Sequence, residues 1–174
     1  MLKINRKILE KCKKIKLVLT DVDGVLTDGS RYFTKNGETF KRFNNLDGMG
    51  INILLRNGIK TVIVSKEKTP IVKKWATAMN VAELRDGTLN KEMELDKICK
   101  QFKLKKEQIA YIGDDVNDIK LLKRVGFSCS PNDAVEQVIS VVDYVCKRNG
   151  GNGCFREFTN IILISQFGEK MNWY

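Results

Sequence analysis

Histidine is absent from this sequence of 174 residues, and proline occurs only twice. The lack of histidine excludes Ser-His-Asp and Cys-His catalysis, histidine-ligated zinc and imidazole acid–base chemistry. Acid–base or metal chemistry must therefore use carboxylates, lysines and hydroxyls. Such oxygen-rich ligand sets suit hard cations such as magnesium.

Long apolar runs are lacking as well. No stretch approaches the roughly 20 apolar residues that a membrane helix needs. The basic segment 1–16 has its apolar residues scattered among lysines, unlike the apolar centre of a signal peptide. The five cysteines include no C-x-x-C pair and are typical of reduced thiols. We therefore expect a cytoplasmic protein with no membrane partner.

The charge is one-sided, with a formal net charge of +10. Basic chains often bind nucleic acid, or they attract anionic substrates over long distances. Here the lysines are dispersed, and no basic stretch interleaves with aromatic residues to form a stacking surface. This favours solvated helix faces over nucleic-acid binding, and the positive field also suits an anionic sugar phosphate.

Apolar runs alternate with amphipathic segments of helix length, which predicts an α/β fold with a doubly wound parallel sheet. Prolines at two helix starts, Pro70 and Pro131, fit the first helical turn. The predicted strands are 17–20, 60–64 and 108–112, with shorter ones near 83–84, 126–128 and 143–145. The predicted helices are about 5–14, 48–57, 68–79, 90–102, 116–124, 131–139 and 153–166.

Segment 31–43 lies between the first predicted strand and the next helix. Its Asn36-Gly37 pair predicts a β-hairpin with a type I′ turn, in which both central residues have positive φ. The segment is too short for a second domain, and no repeat or linker follows. We expect one domain over 1–174 that includes this hairpin insert and a C-terminal tail, 148–174.

Polar side chains follow the predicted strands at their carboxyl ends, where open parallel sheets bind ligands. Any one of them would be read as a helix cap or a solvated residue. Their conjunction, with carboxylates at two strand ends beside a hydroxyl and an ammonium, indicates a catalytic site. The residues are Asp21, Asp23, Ser65, Lys91, Asp114, Asp115 and Asp118.

These residues resemble the four motifs of the haloacid-dehalogenase-type phosphatases. Asp21-Val22-Asp23-Gly24-Val25-Leu26-Thr27 is similar to the first motif and Gly113-Asp114-Asp115-Val116-Asn117-Asp118 to the fourth. Ser65 and Lys91 match the second and third. The resemblance covers about residues 15–166 and implies a Rossmann-like fold and a magnesium-dependent phosphatase.

The resemblance also implies the role of each residue. Asp21 would attack phosphorus to form an aspartyl-phosphate, and Asp23 would act as general acid and then general base. Mg²⁺ would be held by the Asp21 carboxylate, the Asp23 backbone carbonyl and Asp114.

Four further residues have implied supporting roles. Asp115 and Asp118 would orient these groups, with direct contact of one of them to the metal left open. Ser65 would donate a hydrogen bond to the phosphoryl group, and Lys91 would offset its charge.

Within this family, the chain resembles the small capless phosphatases of sugar-acid phosphates. The hairpin and the tail segment Gly150-Gly151-Asn152-Gly153 carry this resemblance. It implies a homotetramer in which a neighbouring subunit covers the open site. Thr27, Glu67, Lys68 and Arg156 are then candidates for substrate binding. Arg156 either binds a substrate carboxylate or locks the tail.

The second motif bears on the substrate. Octulosonate 8-phosphate phosphatases usually have a Gly-Arg pair after the hydroxyl residue, whereas this chain has Ser65-Lys66-Glu67-Lys68-Thr69. The Glu-Lys-Thr run resembles the phosphatases of nonulosonate 9-phosphates (2-keto-3-deoxynonulosonate or N-acylneuraminate). We therefore favour a nonulosonate 9-phosphate, with 3-deoxy-D-manno-octulosonate 8-phosphate as the alternative. Lys68 has a second interpretation, as part of a capped, charged first helical turn.

Two other classes of protein compete with a phosphatase. A receiver domain also combines clustered aspartates, a hydroxyl and a lysine on a doubly wound sheet. Receivers lack an acid–base residue two positions after the phosphorylated aspartate, which Asp23 provides here. The second competitor is a non-catalytic oligomerisation module, and the presence of all four motifs favours activity over it.

Overall fold

A six-stranded sheet forms the centre of the computed structural model, which describes residues 5–174. Its strands are β1 (Leu17–Thr20), β4 (Lys60–Val64), β5 (Glu83–Arg85), β6 (Ile109–Ile112), β7 (Phe127–Ser130) and β8 (Tyr144–Val145). They are ordered β5-β4-β1-β6-β7-β8, and every neighbouring pair is parallel. The remaining strands, β2 (Tyr32–Thr34) and β3 (Gly37–Phe40), form a separate antiparallel hairpin. Residues 1–4 of the predicted domain lie outside the described range.

Helices cover both faces of the sheet. They are α1 (Arg6–Cys12), α2 (Asn45–Arg56), α3 (Pro70–Ala78), α4 (Lys91–Phe102), α5 (Ile119–Leu122), α6 (Glu136–Ile139) and α7 (Cys154–Phe167). Buried residues of α1, α2, α3 and α7 belong to one apolar cluster, and those of α4, α5 and α6 belong to the other. Within residues 5–174, no helix is both long and apolar enough to cross a bilayer.

The central strand shows why the sequence forms this three-layer arrangement. All four residues of β1 are buried, and their side chains alternate between the two faces. Val18 packs in the cluster with α7, whereas Leu17 and Leu19 pack in the cluster with α4. A strand covered on both faces needs an uninterrupted apolar run, which the sequence provides. The predicted doubly wound parallel sheet is confirmed.

Most predicted helices are present, but one was placed wrongly and one is broken. Instead of a helix over 131–139, only α6 is helical, because the preceding residues bond to other segments. Asn132 N–H donates to the carbonyl of Arg148, and Val135 N–H donates to the carbonyl of Asp114. Pro131 therefore does not open the helix. The predicted helix over 116–124 is a 3₁₀ turn, Val116–Asp118, followed by α5.

The hairpin insert is confirmed, but its predicted turn type is wrong. Thr34 pairs with Gly37, so that Lys35 and Asn36 are the central residues of the turn. Neither of them has positive φ, which a type I′ turn requires, whereas Gly37 has φ of 105°. The glycine is needed because it follows the turn in a conformation that other residues rarely adopt. Between β1 and α2 the chain forms only this hairpin and its flanking loops, in agreement with a fold without a cap domain.

The carboxyl ends of the central strands lie level with each other. Thr20 of β1 is in register with Ile63 of β4 and with Ile112 of β6. The Asp21 N–H continues this pairing and donates to the Ile112 carbonyl at 3.1 Å. The residues that follow β1, β4 and β6 are therefore brought together at one edge of the sheet, as the sequence predicted.

The glycine-rich segment of the tail packs on the loop that follows β1. Gly151 N–H donates to the carbonyl of Val25 at 2.9 Å. A Cβ atom on Gly150 would lie only 2.0 Å from the carbonyl oxygen of Gly24. Close approach of the two backbones therefore requires glycine at position 150, and this part of the tail supports the loop of its own chain.

Candidate active site

The loop after β1 holds Asp21 in a nearly buried position, with 6% of the residue exposed. Its Oδ1 accepts a hydrogen bond of 2.7 Å from the Val22 N–H. Gly24 has φ of 83°, and a Cβ atom there would lie 2.0 Å from Oδ2 of Asp114. Only glycine lets the loop turn back over Asp21 while Asp114 remains in place.

Lys91, the first residue of α4, connects two of the predicted carboxylates. Its side chain is 1% exposed, and its Nζ donates to Oδ2 of Asp21 at 2.6 Å and to Oδ1 of Asp118 at 2.7 Å. Burial alone would lower the pKa of Lys91, but the carboxylates of Asp21 and Asp118 raise it. The side chain is therefore a buried ammonium compensated by two carboxylates.

Asp118 is fully buried and anchors this network. Besides Lys91, its Oδ1 accepts a hydrogen bond of 2.6 Å from the hydroxyl of Tyr111. Its Oδ2 accepts from the backbone N–H groups of Asp114 at 3.0 Å and Asp115 at 3.3 Å. Each oxygen thus has two protein donors, which use the acceptor sites of the carboxylate. This geometry favours an orienting role for Asp118 over direct contact with a metal.

Asp114 stands beside Asp21 with unused acceptor capacity. Oxygens of Asp21, Asp114 and Asp118 lie within 4.8 Å of one another. Oδ1 of Asp114 is buried and accepts no hydrogen bond from the described residues. Burial, followed by the neighbouring carboxylates of Asp21 and Asp118, raises the pKa of Asp114 to about 8. A divalent cation would satisfy this oxygen and offset the repulsion, so the donor set fits magnesium.

Asp21 itself titrates under the same influences. Burial and the carboxylate of Asp118 raise the pKa of Asp21 to about 7, against the opposing effect of Lys91. If Asp21, Asp114 and Asp118 were all ionised, three carboxylates would share the single ammonium of Lys91, so a further positive charge would stabilise the ionised site.

Ser65 follows β4 at the predicted position and is 1% exposed. Its backbone N–H donates to the carbonyl of Arg85, and its Oγ accepts a hydrogen bond of 3.2 Å from the Glu67 N–H. The next two side chains, Lys66 and Glu67, reach the cleft in front of Asp21. Glu67 forms an ion pair of 2.9 Å with Arg31, at the start of the hairpin insert.

These groups surround a cleft of about 300 Å³. Its walls come from the loops after β1, β4 and β6, together with the beginning of the hairpin. The lining residues are Asp21, Asp23, Gly24, Gly29, Arg31, Ser65, Lys66, Glu67, Asp114, Asp115 and Asn117. Asp115 also caps the 3₁₀ turn, because its Oδ1 accepts from the Val116 N–H at 2.7 Å.

Asp23 has a partner that the sequence did not indicate. Nζ of Lys41, directly after β3, donates to Oδ1 of Asp23 at 2.6 Å. The same Nζ lies 3.0 Å from Oε1 of Glu38. Tyr111 and Arg31 are also additions to the predicted set. The sequence contained only weak signals for these two residues. Tyr111 lies in the strand before Gly113, and Arg31 begins the hairpin that follows the first motif.

Three predicted substrate-binding residues do not line the cleft. Thr27 is fully buried, and its hydroxyl donates to the Val22 carbonyl at 3.4 Å, so within this chain the side chain faces the loop and not the cleft. Lys68 borders a neighbouring hollow with Thr69, which caps α3. This position agrees with its alternative interpretation as part of a charged first turn.

Arg156 lies on α7 with different partners. Its backbone N–H donates to Asp47 at 2.9 Å, and its Nε donates to Asn160 at 2.9 Å. The guanidinium lies 5.7 Å from the ring centre of Trp173, a cation–π contact with the end of the chain. Within one chain, this geometry favours the role of locking the tail over binding substrate.

Comparison with known families accounts for this arrangement. Residues 60–158, more than half of the chain, match the family model of the haloacid dehalogenase-like hydrolases. The chain belongs to this family. In this haloacid dehalogenase-like hydrolase, Asp21, Ser65 and Asp114 line one cleft, and Lys91 contacts Asp21 from beneath it.

Relatives of this hydrolase are similar over nearly their whole length. The 3-deoxy-D-manno-octulosonate 8-phosphate phosphatase of Haemophilus influenzae is 38% identical over 90% of this chain and 87% of the relative. A probable YrbI-family phosphatase from Pseudomonas syringae superposes with a TM-score of 0.92 and 38% identity, covering 94% of this chain and 93% of the other.

A third relative was solved with ligands. The 3-deoxy-D-manno-octulosonate 8-phosphate phosphatase of Moraxella catarrhalis, in complex with a magnesium ion, a phosphate ion and a KDO molecule, has a TM-score of 0.90 and 34% identity. The similarity covers 94% of each chain. These findings confirm the predictions of a haloacid-dehalogenase-type fold, of a phosphoric monoester hydrolase and of a magnesium cofactor.

Proposed function

We propose that this hydrolase removes phosphate from 3-deoxy-D-manno-octulosonate 8-phosphate through an aspartyl-phosphate on Asp21. The observation that carries the proposal is the contact of Asp21 with the buried ammonium of Lys91 at 2.6 Å, beside the free oxygen of Asp114. Phosphoryl transfer to a carboxylate requires positive charge beside it, so this contact supports Asp21 as the nucleophile.

The first step transfers the phosphoryl group to the enzyme. A carboxylate oxygen of Asp21 attacks phosphorus, and the bond between phosphorus and the sugar oxygen breaks. Asp23, which lines the same cleft, gives its proton to the departing oxygen, and the alcohol leaves. In the second step a water molecule attacks phosphorus and transfers a proton to Asp23. Inorganic phosphate leaves, and the Asp21 carboxylate is restored.

The magnesium ion would be held by the carboxylates of Asp21 and Asp114 and by the backbone carbonyl of Asp23. When bound, it supplies positive charge that stabilises the phosphoryl oxygens in the transition state. Lys91 contributes further positive charge beside Asp21, and Asp118 keeps Lys91 in place. Asp115 holds the turn that presents Asp114.

Ser65 lies at the end of β4, in contact with the cleft. Its Oγ already accepts a hydrogen bond from the Glu67 N–H, which leaves the hydroxyl proton available to a phosphoryl oxygen. Lys66, in the place of the glycine common in the family, adds an ammonium to the lining of the cleft.

For the substrate, the known activity of the relatives is given more weight than the residues of the second motif. The relatives above that are octulosonate 8-phosphate phosphatases are 34–38% identical over at least nine-tenths of this chain. This supports the alternative interpretation better than the nonulosonate 9-phosphate that Glu67-Lys68-Thr69 favoured. A nonulosonate ester remains the second candidate because Lys66 and Glu67, rather than a Gly-Arg pair, line the cleft.

The assembly and location are parts of the same proposal. A homotetramer would cover the exposed aromatic residues of the hairpin, Phe33 and Phe40, which are 63% and 53% exposed. A reducing cytoplasmic location agrees with five cysteines that are all free thiols.

A substrate panel tests the assignment. The octulosonate 8-phosphate and the two nonulosonate 9-phosphates are compared by kcat/KM at matched magnesium concentration. Phosphates of hexoses, which lack a carboxylate, are the controls. We expect the octulosonate ester to be the best substrate by ~10-fold or more, which corresponds to roughly 1.4 kcal/mol. A higher kcat/KM for a nonulosonate ester would transfer the assignment to the second candidate. An equal kcat/KM for the hexose phosphates would contradict a sugar-acid substrate.

A further inference from the structure

Lys41 occupies an unusual position for a lysine. It follows β3 directly, and its side chain is 0% exposed, although lysine side chains are rarely buried without a partner. Most lysines of this chain lie on its surface. An ammonium removed from water at the end of the hairpin needs a specific compensation.

The compensation comes from two carboxylates on different segments. Nζ of Lys41 donates to Oδ1 of Asp23 at 2.6 Å, a short charge-assisted hydrogen bond. Oε1 of Glu38, on β3, lies 3.0 Å from the same nitrogen, as a charge contact outside good hydrogen-bond geometry. The hairpin is thereby joined to the catalytic loop through the side chain of Asp23.

The contact with Lys41 makes the two carboxyl oxygens of Asp23 inequivalent. Oδ1 is held by Lys41, whereas Oδ2 accepts no hydrogen bond from any group in residues 5–174. A general acid needs one carboxyl oxygen free to carry a proton to the departing alcohol. Asp23 lines the cleft, and its side chain keeps 23% exposure there. The arrangement fixes the carboxyl group and leaves one oxygen for proton transfer.

We infer that Lys41 is a positioning residue for Asp23 and that it selects for phosphate esters of alcohols, whose leaving oxygen needs a proton. This inference rests on the proposed function, because it requires Asp23 to be the general acid. Glu38 in turn holds Lys41, so the hairpin contributes to the chemistry of the cleft.

A purely structural role would not need a charge at this position. A buried ion pair is commonly no more stabilising than apolar residues of similar volume, because desolvation offsets the attraction. A methionine could fill the space of Lys41 without an ammonium. The ammonium contacts a carboxyl group of the cleft and not one remote from it. A positioning role explains this choice of partner.

The test compares two leaving groups in the variant Lys41→Met, using the full chain with magnesium. The octulosonate 8-phosphate, or any primary sugar phosphate that the wild type hydrolyses, releases an alcohol that must be protonated. p-Nitrophenyl phosphate releases a stable anion that does not need a proton. kcat/KM is measured because it reports the steps up to formation of the aspartyl-phosphate. We expect it to fall ~100-fold for the sugar ester and less than ~3-fold for the aryl ester.

Three further variants complete the design. Lys41→Arg keeps the charge and should recover much of the loss on the sugar ester. Glu38→Gln should cause a smaller loss of the same kind, because it loosens Lys41 without touching Asp23. Lys35→Met removes an exposed lysine of the same hairpin and should change neither ester. Thermal melting of each variant verifies that it is folded.

Several outcomes would overturn the inference. An equal fall for both esters in folded Lys41→Met would indicate a structural role, and no fall for either would exclude any role in the reaction. Failure of the proposed function has a different signature. If Asp21→Asn kept its activity on both esters, the nucleophile assignment would be wrong whatever the ratio of the two esters in Lys41→Met.

Discussion

The floor and the rim of the cleft hold their charges in different ways. The floor consists of Asp21, Lys91, Asp118 and Tyr111, whose side chains are at most 8% exposed and joined by hydrogen bonds of 2.6–2.7 Å. The rim includes Arg31 and Glu67, whose ion pair of 2.9 Å has side chains about 40% exposed.

This difference separates two tasks. In the floor, a low dielectric makes each contact strong and makes the loss of a partner costly, so the geometry is fixed. At the rim, water screens the charges, and an exposed pair contributes little to folding. The floor can therefore carry the chemistry of the family, while the rim can change with the substrate. Lys41 belongs to neither group, because it is buried like the floor but comes from the hairpin.

The largest expected effect is on activity, from loss of the proposed nucleophile in the floor. Asp21→Asn should lower kcat on sugar-acid phosphates by roughly 10⁴-fold or more, because an amide cannot form the aspartyl-phosphate. Steady-state release of phosphate measures the loss. Asp28→Asn in the same loop, which loses an ion pair to Arg42 of 2.9 Å, should remain active. Retention of most activity in Asp21→Asn would contradict the mechanism.

Removal of the ammonium from the floor should affect both folding and catalysis. Lys91→Met leaves Asp21 and Asp118 buried without their common partner, and should lower the free energy of unfolding by ~3–5 kcal/mol. Urea unfolding measures this change. Lys97→Met on the same helix, with a side chain 63% exposed, should change it by less than ~1 kcal/mol. If the two variants lowered the free energy of unfolding equally, burial would not make the contacts of Lys91 stronger than those of an exposed lysine.

Magnesium should stabilise the floor most strongly at high pH. Folding raises the pKa of Asp21 to about 7 and that of Asp114 to about 8, because both are buried near other carboxylates. The folded protein without metal thus binds more protons than the unfolded chain between about pH 4 and pH 8. Its free energy of unfolding should therefore fall as the pH rises through this range.

Thermal melting with and without magnesium tests this expectation. Bound magnesium should offset the loss at pH 8, with a stabilisation of ~2.7 kcal/mol at a concentration 100-fold above its Kd. The gain should be smaller at pH 5, where protons compete for the carboxylates. Asp114→Asn should remove most of the difference. A stabilisation by magnesium that is the same at both pH values would contradict this account of the site.

The smallest expected effect belongs to the rim. Arg31→Met should raise KM for sugar-acid phosphates by ~10-fold, because the anionic substrate loses a guanidinium from the lining of the cleft, with kcat within ~2-fold. Stability should change by less than ~1 kcal/mol. Arg42→Met, in the same insert but outside the cleft lining, is the matched control. A fall in kcat as large as the rise in KM would place Arg31 in the floor.

Local sequence patterns were sufficient for the sheet and for much of the lining of the cleft. Buried apolar runs located the strands, and level strand ends brought Asp21, Ser65 and Asp114 together. The prediction of a helix over 131–139 was wrong because the backbone of this segment bonds to distant partners, Arg148 and Asp114. Such competition between local and long-range hydrogen bonds leaves no trace in a window of neighbouring residues.

The sequence by itself indicated the class of chemistry. The lack of histidine left carboxylates, lysines and hydroxyls, and the resemblance of Asp21 and Asp114 to two motifs of the phosphatase family implied a reaction with a hard cation. The sequence could not determine which lysine serves which carboxylate. Lys91 and Lys41 are two among many lysines, and they are separated from their partners Asp21 and Asp23 by 70 and 18 positions. Only the packing of α4 and of the hairpin against the sheet removes these two from water and gives their charges a function.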